Sequence, residues 1–71
     1  MDAKVIGRKL ADLRGDRSQK EVADALGISP SAVSMYELGE RIPRDALKIK
    51  FSDFYGVPVS DLFFAPGTHE T

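Results

Sequence analysis

Apolar residues recur along this chain at helical spacing. Val5, Ile6, Leu10 and Leu13 form one stripe, of the kind an amphipathic helix turns toward a core. The spacing predicts a first helix over about Ala3 to Arg14, stopped by Gly15. Ser18-Gln19-Lys20-Glu21 has the form of a capping box, in which the serine hydroxyl accepts from the amide three residues on. A second helix then runs to about Leu26, with Val22, Ala23 and Leu26 on one face and Gly27 as its stop. Ser29-Pro30 opens a third helix, since serine can cap and proline in the first turn forfeits no helical hydrogen bond. That helix carries Ala32, Val33, Tyr36 and Glu37 and ends at Gly39. Pro43 precedes a fourth, over about Arg44 to Tyr55, with Leu47, Phe51, Phe54 and Tyr55 on one side. The run from Leu47 to Phe51 alternates like a strand, but the apolar positions continue at helical spacing through Phe54 and Tyr55, which favours a helix. Gly56 closes it. Pro58 opens a short fifth helix carrying Val59, Leu62, Phe63 and Phe64. Residues 65–71 are small and polar and are expected to form a flexible tail, leaving 1–64 as one domain.

The pattern predicts an all-α fold with one core, built from Ile6, Leu10, Leu13, Val22, Leu26, Ile28, Val33, Tyr36, Leu47, Phe51, Tyr55 and Leu62. With 71 residues, a chain buries only roughly 60% of its unfolded surface, so the packing has to be close. Cysteine is absent, which excludes disulfides, thiolate metal sites and a cysteine nucleophile. His69 stands alone in the tail, and no metal or cofactor is expected. The apolar runs are too short to span a membrane, and the N-terminus lacks a secretory stretch, so a cytoplasmic location is expected. Neither a carboxylate pair in a pocket nor a glycine-rich phosphate loop is legible, and no catalysis is expected.

The net charge is −1, whereas nucleic-acid-binding domains are commonly basic. Residues 1–44 hold eight Lys/Arg against seven Asp/Glu, and residues 45–71 hold two against four. That asymmetry is too weak to decide anything alone.

The stretch from Gln19 to Tyr36 is more informative. Two short helices meet at Gly27-Ile28-Ser29, a three-residue turn with the layout of a helix-turn-helix. Ala23 falls where the two helices cross closely. Gly27 falls at the turn, where a positive φ is easiest for glycine. Val22, Ile28, Val33 and Tyr36 fall at inward positions.

The pattern Ser18-Gln19-x-x-Val22-Ala23-x-x-Leu26-Gly27-Ile28-Ser29-x-Ser31-x-Val33-Ser34-x-Tyr36-Glu37-x-Gly39-x-Arg41-x-Pro43 resembles the phage Cro and lambda-repressor-like family, also called the xenobiotic-response-element family. The likeness spans about residues 5–64. It takes in Leu13-Arg14, Gly56-Val57 and Asp61-Leu62-Phe63. It implies a five-helix fold that binds operator DNA, commonly as a homodimer, with the third helix in the major groove. By that resemblance Gln19 meets a backbone phosphate and braces the recognition helix. Pro30, Ser31, Ser34 and Met35 face base edges, Arg41 and Arg44 meet phosphate, and Arg14 and Glu37 form a partly buried ion pair. The dimer contact is expected at the fifth helix, through Val59 with Phe63 or Phe64, because that segment holds more apolar residues than one short helix can turn inward.

Two features depart from the family. The link Gly15-Asp16-Arg17 is shorter than usual, which shifts the end of the first helix and leaves phosphate contact by Asp16 or Arg17 unassigned. Lys48 stands at a position often aliphatic, and Leu47 is expected to take its place in the core by a small rotation of the fourth helix.

The expected function is sequence-specific DNA binding that regulates transcription, with repression at an inverted-repeat operator expected and no small-molecule effector. The alternative is a protein-interaction module, such as an antitoxin or partner-binding regulator with secondary DNA contact. The acidic balance and a recognition helix without Arg, Asn or Gln favour that alternative.

Overall fold

A computed structural model of the chain describes residues 2–63. Phe64 and the expected tail over 65–71 lie outside the described residues. Asp2 starts α1 (Ala3–Arg14) by accepting at its carboxylate from the amides of Lys4, at 2.9 Å, and Val5, at 3.4 Å. Ser18 caps α2 (Gln19–Leu26), its hydroxyl accepting from the Glu21 amide at 3.0 Å. Ser29 caps α3 (Pro30–Glu37) through the Ala32 amide at 3.1 Å, with Pro30 in the first turn. Between these helices Gly27 adopts φ 73°. The Ile28 amide donates to the Ala23 carbonyl at 3.0 Å, which is the six-to-one closure of a left-handed helix stop. The turn is thereby held by bonds between residues close in sequence.

α4 (Asp45–Tyr55) starts one residue later than the apolar pattern predicts, with Arg44 as its N-cap and no side-chain capping bond. It ends at Gly56, where the Ser52 hydroxyl donates to the Val57 carbonyl at 2.5 Å. α5 (Val59–Phe63) follows. α1 packs on α3 and α5, α2 on α3 and α4, and α4 on α5. Together they enclose Ile6, Leu10, Val22, Ala23, Leu26, Val33, Phe51, Leu62 and Phe63. Leu13, Ile28, Tyr36, Leu47 and Tyr55 from the expected core sit half-buried around it.

Two expectations need correction. Phe63, assigned from sequence to a dimer contact, is fully buried in the core. α5 packs against both α1 and α4, so the consecutive side chains Leu62 and Phe63 both find cover. Lys48 is not displaced by Leu47 either. Leu47 packs against the core, while the Lys48 side chain is only 15% exposed and carries its ammonium 5.6 Å from the centre of the Phe63 ring. The lysine stem serves as apolar cover and the charge reaches the rim, where Asp45 lies 3.6 Å away.

The shortened first link has a structural counterpart at the far end of α4. The Arg17 guanidinium lies 5.2 Å from the ring centre of Phe54 and 5.5 Å from that of Tyr55, a cation–π arrangement. The Tyr55 hydroxyl is buried and has no hydrogen-bond partner among the described residues. Burial raises its pKa first, and the negative charge of Glu37 adds to this. A raised folded-state pKa means that the neutral phenol is the form the fold favours. That contribution is whole below the ordinary tyrosine value near 10 and is lost as the pH climbs through the folded-state value. Tyr55→Phe is therefore expected to gain about 1 kcal/mol at neutral pH by removing an unpaired buried hydroxyl. It should also reduce the loss of stability at alkaline pH. Melting curves of both proteins at neutral and alkaline pH check this; a less stable variant at neutral pH would count against it.

Candidate nucleic-acid interface

The position of α3 is set by a close crossing with α1. Gly7 is buried. A side-chain carbon built on it would lie 2.6 Å from the Tyr36 carbonyl oxygen, and closer still to that of Glu37. Only a residue without Cβ lets the two helices approach so far. Sequence reasoning passed over Gly7, because one glycine inside an amphipathic pattern carries no mark of what it touches.

This approach brings Glu37 to the end of α1. Arg14 Nε donates to Glu37 Oε2 at 2.8 Å and Nη2 donates to Oε1 at 3.1 Å. The side chains are 23% and 6% exposed respectively. Arg14 Nη1 also donates to the Arg17 carbonyl at 2.7 Å, which ties the α1–α2 link to the same guanidinium. The bond to Glu37 raises the Arg14 pKa, against a smaller opposing effect of burial. Glu37 Oε1 accepts a third bond, from Gln19 Nε2 at 3.0 Å. One carboxylate thus holds the C-terminal end of α1, the first residue of α2 and the last residue of α3.

Gln19 keeps its second amide hydrogen and sits at the start of α2, where the first backbone N–H groups have no helical acceptor. This corner can donate to an anionic oxygen. Beside it, α3 turns Val33 into the core and Tyr36 against it. The opposite side presents Ser31, exposed, with Ser34 and Met35 half-buried on its flanks. Pro30 is exposed at the first turn, and Arg41 and Arg44 are exposed between α3 and α4. Arg44 borders an open groove lined by Ile28, Tyr36, Ala46, Leu47 and Lys50. Among the site residues named from sequence, the structure brings Arg14, Gln19 and Glu37 into direct contact.

Leu38, which the sequence reading did not single out, is 60% exposed directly after α3. The signal was available, since Leu38 lies seven residues beyond Ser31 and shares its phase on a helix.

Among the described residues no group of three His, Asp or Glu side chains is placed to hold a metal ion, and no helix is long and apolar enough to cross a membrane.

Comparison with known proteins gives two findings. A family model described as helix-turn-helix matches residues 8–62. The cryptic phage CTXphi transcriptional repressor RstR of Vibrio cholerae is 38% identical over 56 residues, covering 76% of this chain and 50% of that repressor. The chain spans about half the length of this curated relative.

Proposed function

We propose, for a chain that belongs to the helix-turn-helix family of the Cro and phage-repressor kind and is a non-enzymatic DNA-binding transcriptional regulator, that it represses transcription by occupying an inverted-repeat operator as a homodimer. It would act in the cytoplasm, where its DNA lies. α3 enters the major groove with Pro30, Ser31, Ser34 and Met35 toward the bases. Gln19, with the start of α2, meets a phosphate, and so do Arg41 and Arg44. The observation that carries this reading is the triple bonding of Glu37 to Arg14 and Gln19, which sets the phosphate-binding corner of α2 rigidly against the end of α3.

Two copies in two-fold symmetry match an inverted repeat. With Phe63 buried, Val59, half-buried on α5, remains as the described apolar residue of the proposed contact. Phe64 lies outside the described residues. Residues 65–71 are proposed to take no part in the DNA-binding domain.

The test is binding to the promoter of the chain's own gene at two salt concentrations, with a footprint at saturation. Affinity should fall steeply with salt, and the footprint should cover two half-sites about 10 bp apart. Arg41→Ala and Arg44→Ala should each weaken binding to every sequence alike and flatten the slope of log affinity against log salt by about 0.9. Binding indifferent to salt would overturn this reading and favour a protein-interaction module, and a single unrepeated half-site would overturn the inverted-repeat operator bound by a homodimer.

A further inference from the structure

The outward face of α3 is short of groups that identify a base by hydrogen bonding. Guanine and adenine are told apart in the major groove chiefly by bidentate pairing to Arg, Lys, Asn or Gln. None of these stands between Pro30 and Leu38. Ser31 and Ser34 can each reach a base edge, but a single hydroxyl discriminates weakly, because it donates or accepts as required.

The apolar side chains of this face are less ordinary. Leu38 is 60% exposed, more than any other large apolar side chain among the described residues. A helical residue seven positions after Ser31 lies on the same face about 10 Å along the axis, and Met35 lies between them. The leucine is not needed at the helix end, where its backbone amide already donates to the Ser34 carbonyl at 2.9 Å. Serine, methionine and leucine thus form a row facing away from the core, continuous with the face that the DNA-binding reading turns to the bases. In the major groove the base-edge group that apolar side chains recognise is the C5 methyl of thymine.

We infer that this chain reads its operator through thymine methyl groups, with Leu38 and Met35 as the contacting side chains. The inference rests on the DNA-binding reading above and adds to it the chemical group that is read. Leu38 becomes a specificity-determining residue, and positions that it faces have to be A·T pairs with the thymine on a defined strand.

The experiment uses duplexes enriched by the full chain from a random-sequence pool. Each thymine of the enriched site is replaced in turn by uracil, in both half-sites, which removes the methyl and leaves every hydrogen-bonding group in place. At the positions read, uracil should weaken wild-type binding roughly tenfold, the effect of two lost methyl contacts. Leu38→Ala should bind the thymine duplex more weakly by a similar factor and no longer distinguish thymine from uracil at its own position. Met35→Ala should do the same at a different position. Wild-type binding that ignores uracil at every position would overturn the inference while leaving the DNA-binding reading intact, whereas a pool that yields no enriched site would overturn both. If Leu38→Ala keeps full thymine preference and instead changes the mass of the protein in solution, Leu38 belongs to a contact between copies and the inference also falls. Leu38 being so exposed, its replacement should leave the melting temperature unchanged, and that measurement accompanies the binding series.

Discussion

Gly7→Ala is expected to destabilise the domain by about 2 kcal/mol, although alanine is the better helix former by about 1 kcal/mol. The two effects act on different links of the chain from sequence to fold. Propensity concerns α1 alone, and there the substitution helps. Packing concerns α1 against α3, and there the new carbon would lie 2.6 Å from the Tyr36 carbonyl oxygen and 2.8 Å from the Glu37 carbonyl carbon. Both are backbone atoms, so no rotamer change relieves the contact and one helix has to move. Overfilling a packed core costs about 1–3 kcal/mol when side chains can adjust, and a backbone obstruction belongs at or above the top of that range. For a domain of this size the net loss should lower the melting temperature by about 10 °C. Because the obstruction pushes on the end of α3, DNA affinity should fall even well below that temperature. Gly27→Ala provides the comparison. Its added carbon would meet nothing within 4 Å, but φ is +73°, so the cost is left-handed strain of about 1 kcal/mol. Thermal unfolding of both variants decides the matter. A loss at Gly7 no greater than that at Gly27 would mean that glycine does not set the separation of α1 and α3.

The features legible in the sequence were those with a local cause. Ser18, Ser29 and Pro30 mark helix starts through bonds made within three residues, and Gly15, Gly27 and Gly56 follow the last helical residues of α1, α2 and α4. The inward phase of α2 and α3 followed from Val22, Ala23, Leu26 and Val33, all buried. What the sequence hid was decided between elements. Phe63 read as surplus because a five-residue helix on its own cannot cover two adjacent bulky side chains. Its cover comes from outside α5, including the stem of Lys48, a residue that counts as polar in any pattern. The short link left Arg17 without an assigned contact, and its place is over two rings some forty residues away in sequence. Of the interface, the Arg14–Glu37 pair was legible through resemblance, as was a bracing role for Gln19 toward the recognition helix, while the carboxylate that Gln19 bonds was not. Gly7 escaped because its contact is with a backbone, whereas Leu38 was legible through the helical phase it shares with Ser31.

Arg14→Ala is expected to cost about 2 kcal/mol, and the reasoning starts from what it leaves behind. The Glu37 carboxylate is 6% exposed, so without Arg14 it is a nearly buried charge whose remaining side-chain donor is Gln19. Stranding one partner of a fully buried pair costs about 3–5 kcal/mol, and the partial exposure of Arg14 together with the surviving Gln19 bond brings this case below that range. The substitution also removes the bond to the Arg17 carbonyl and so loosens the short link into α2. Glu37→Gln should cost less, because it leaves Arg14 charged but 23% exposed, able to recover water, and still offers Arg14 a carbonyl acceptor. The double variant separates stranding from simple loss of contacts. If the penalty in Arg14→Ala comes from the unpaired charge, adding Glu37→Gln neutralises it, and the double variant should be more stable than Arg14→Ala alone. Additive losses across the cycle would show that the two side chains are not coupled, and an Arg14→Ala melting temperature equal to wild type would show that Arg14 contributes nothing to the fold. DNA binding by the folded fraction gives the functional half of the result. Gln19 keeps Glu37 as its partner, but that carboxylate is no longer anchored by Arg14, so Arg14→Ala should weaken binding to all sequences alike without altering which bases are preferred.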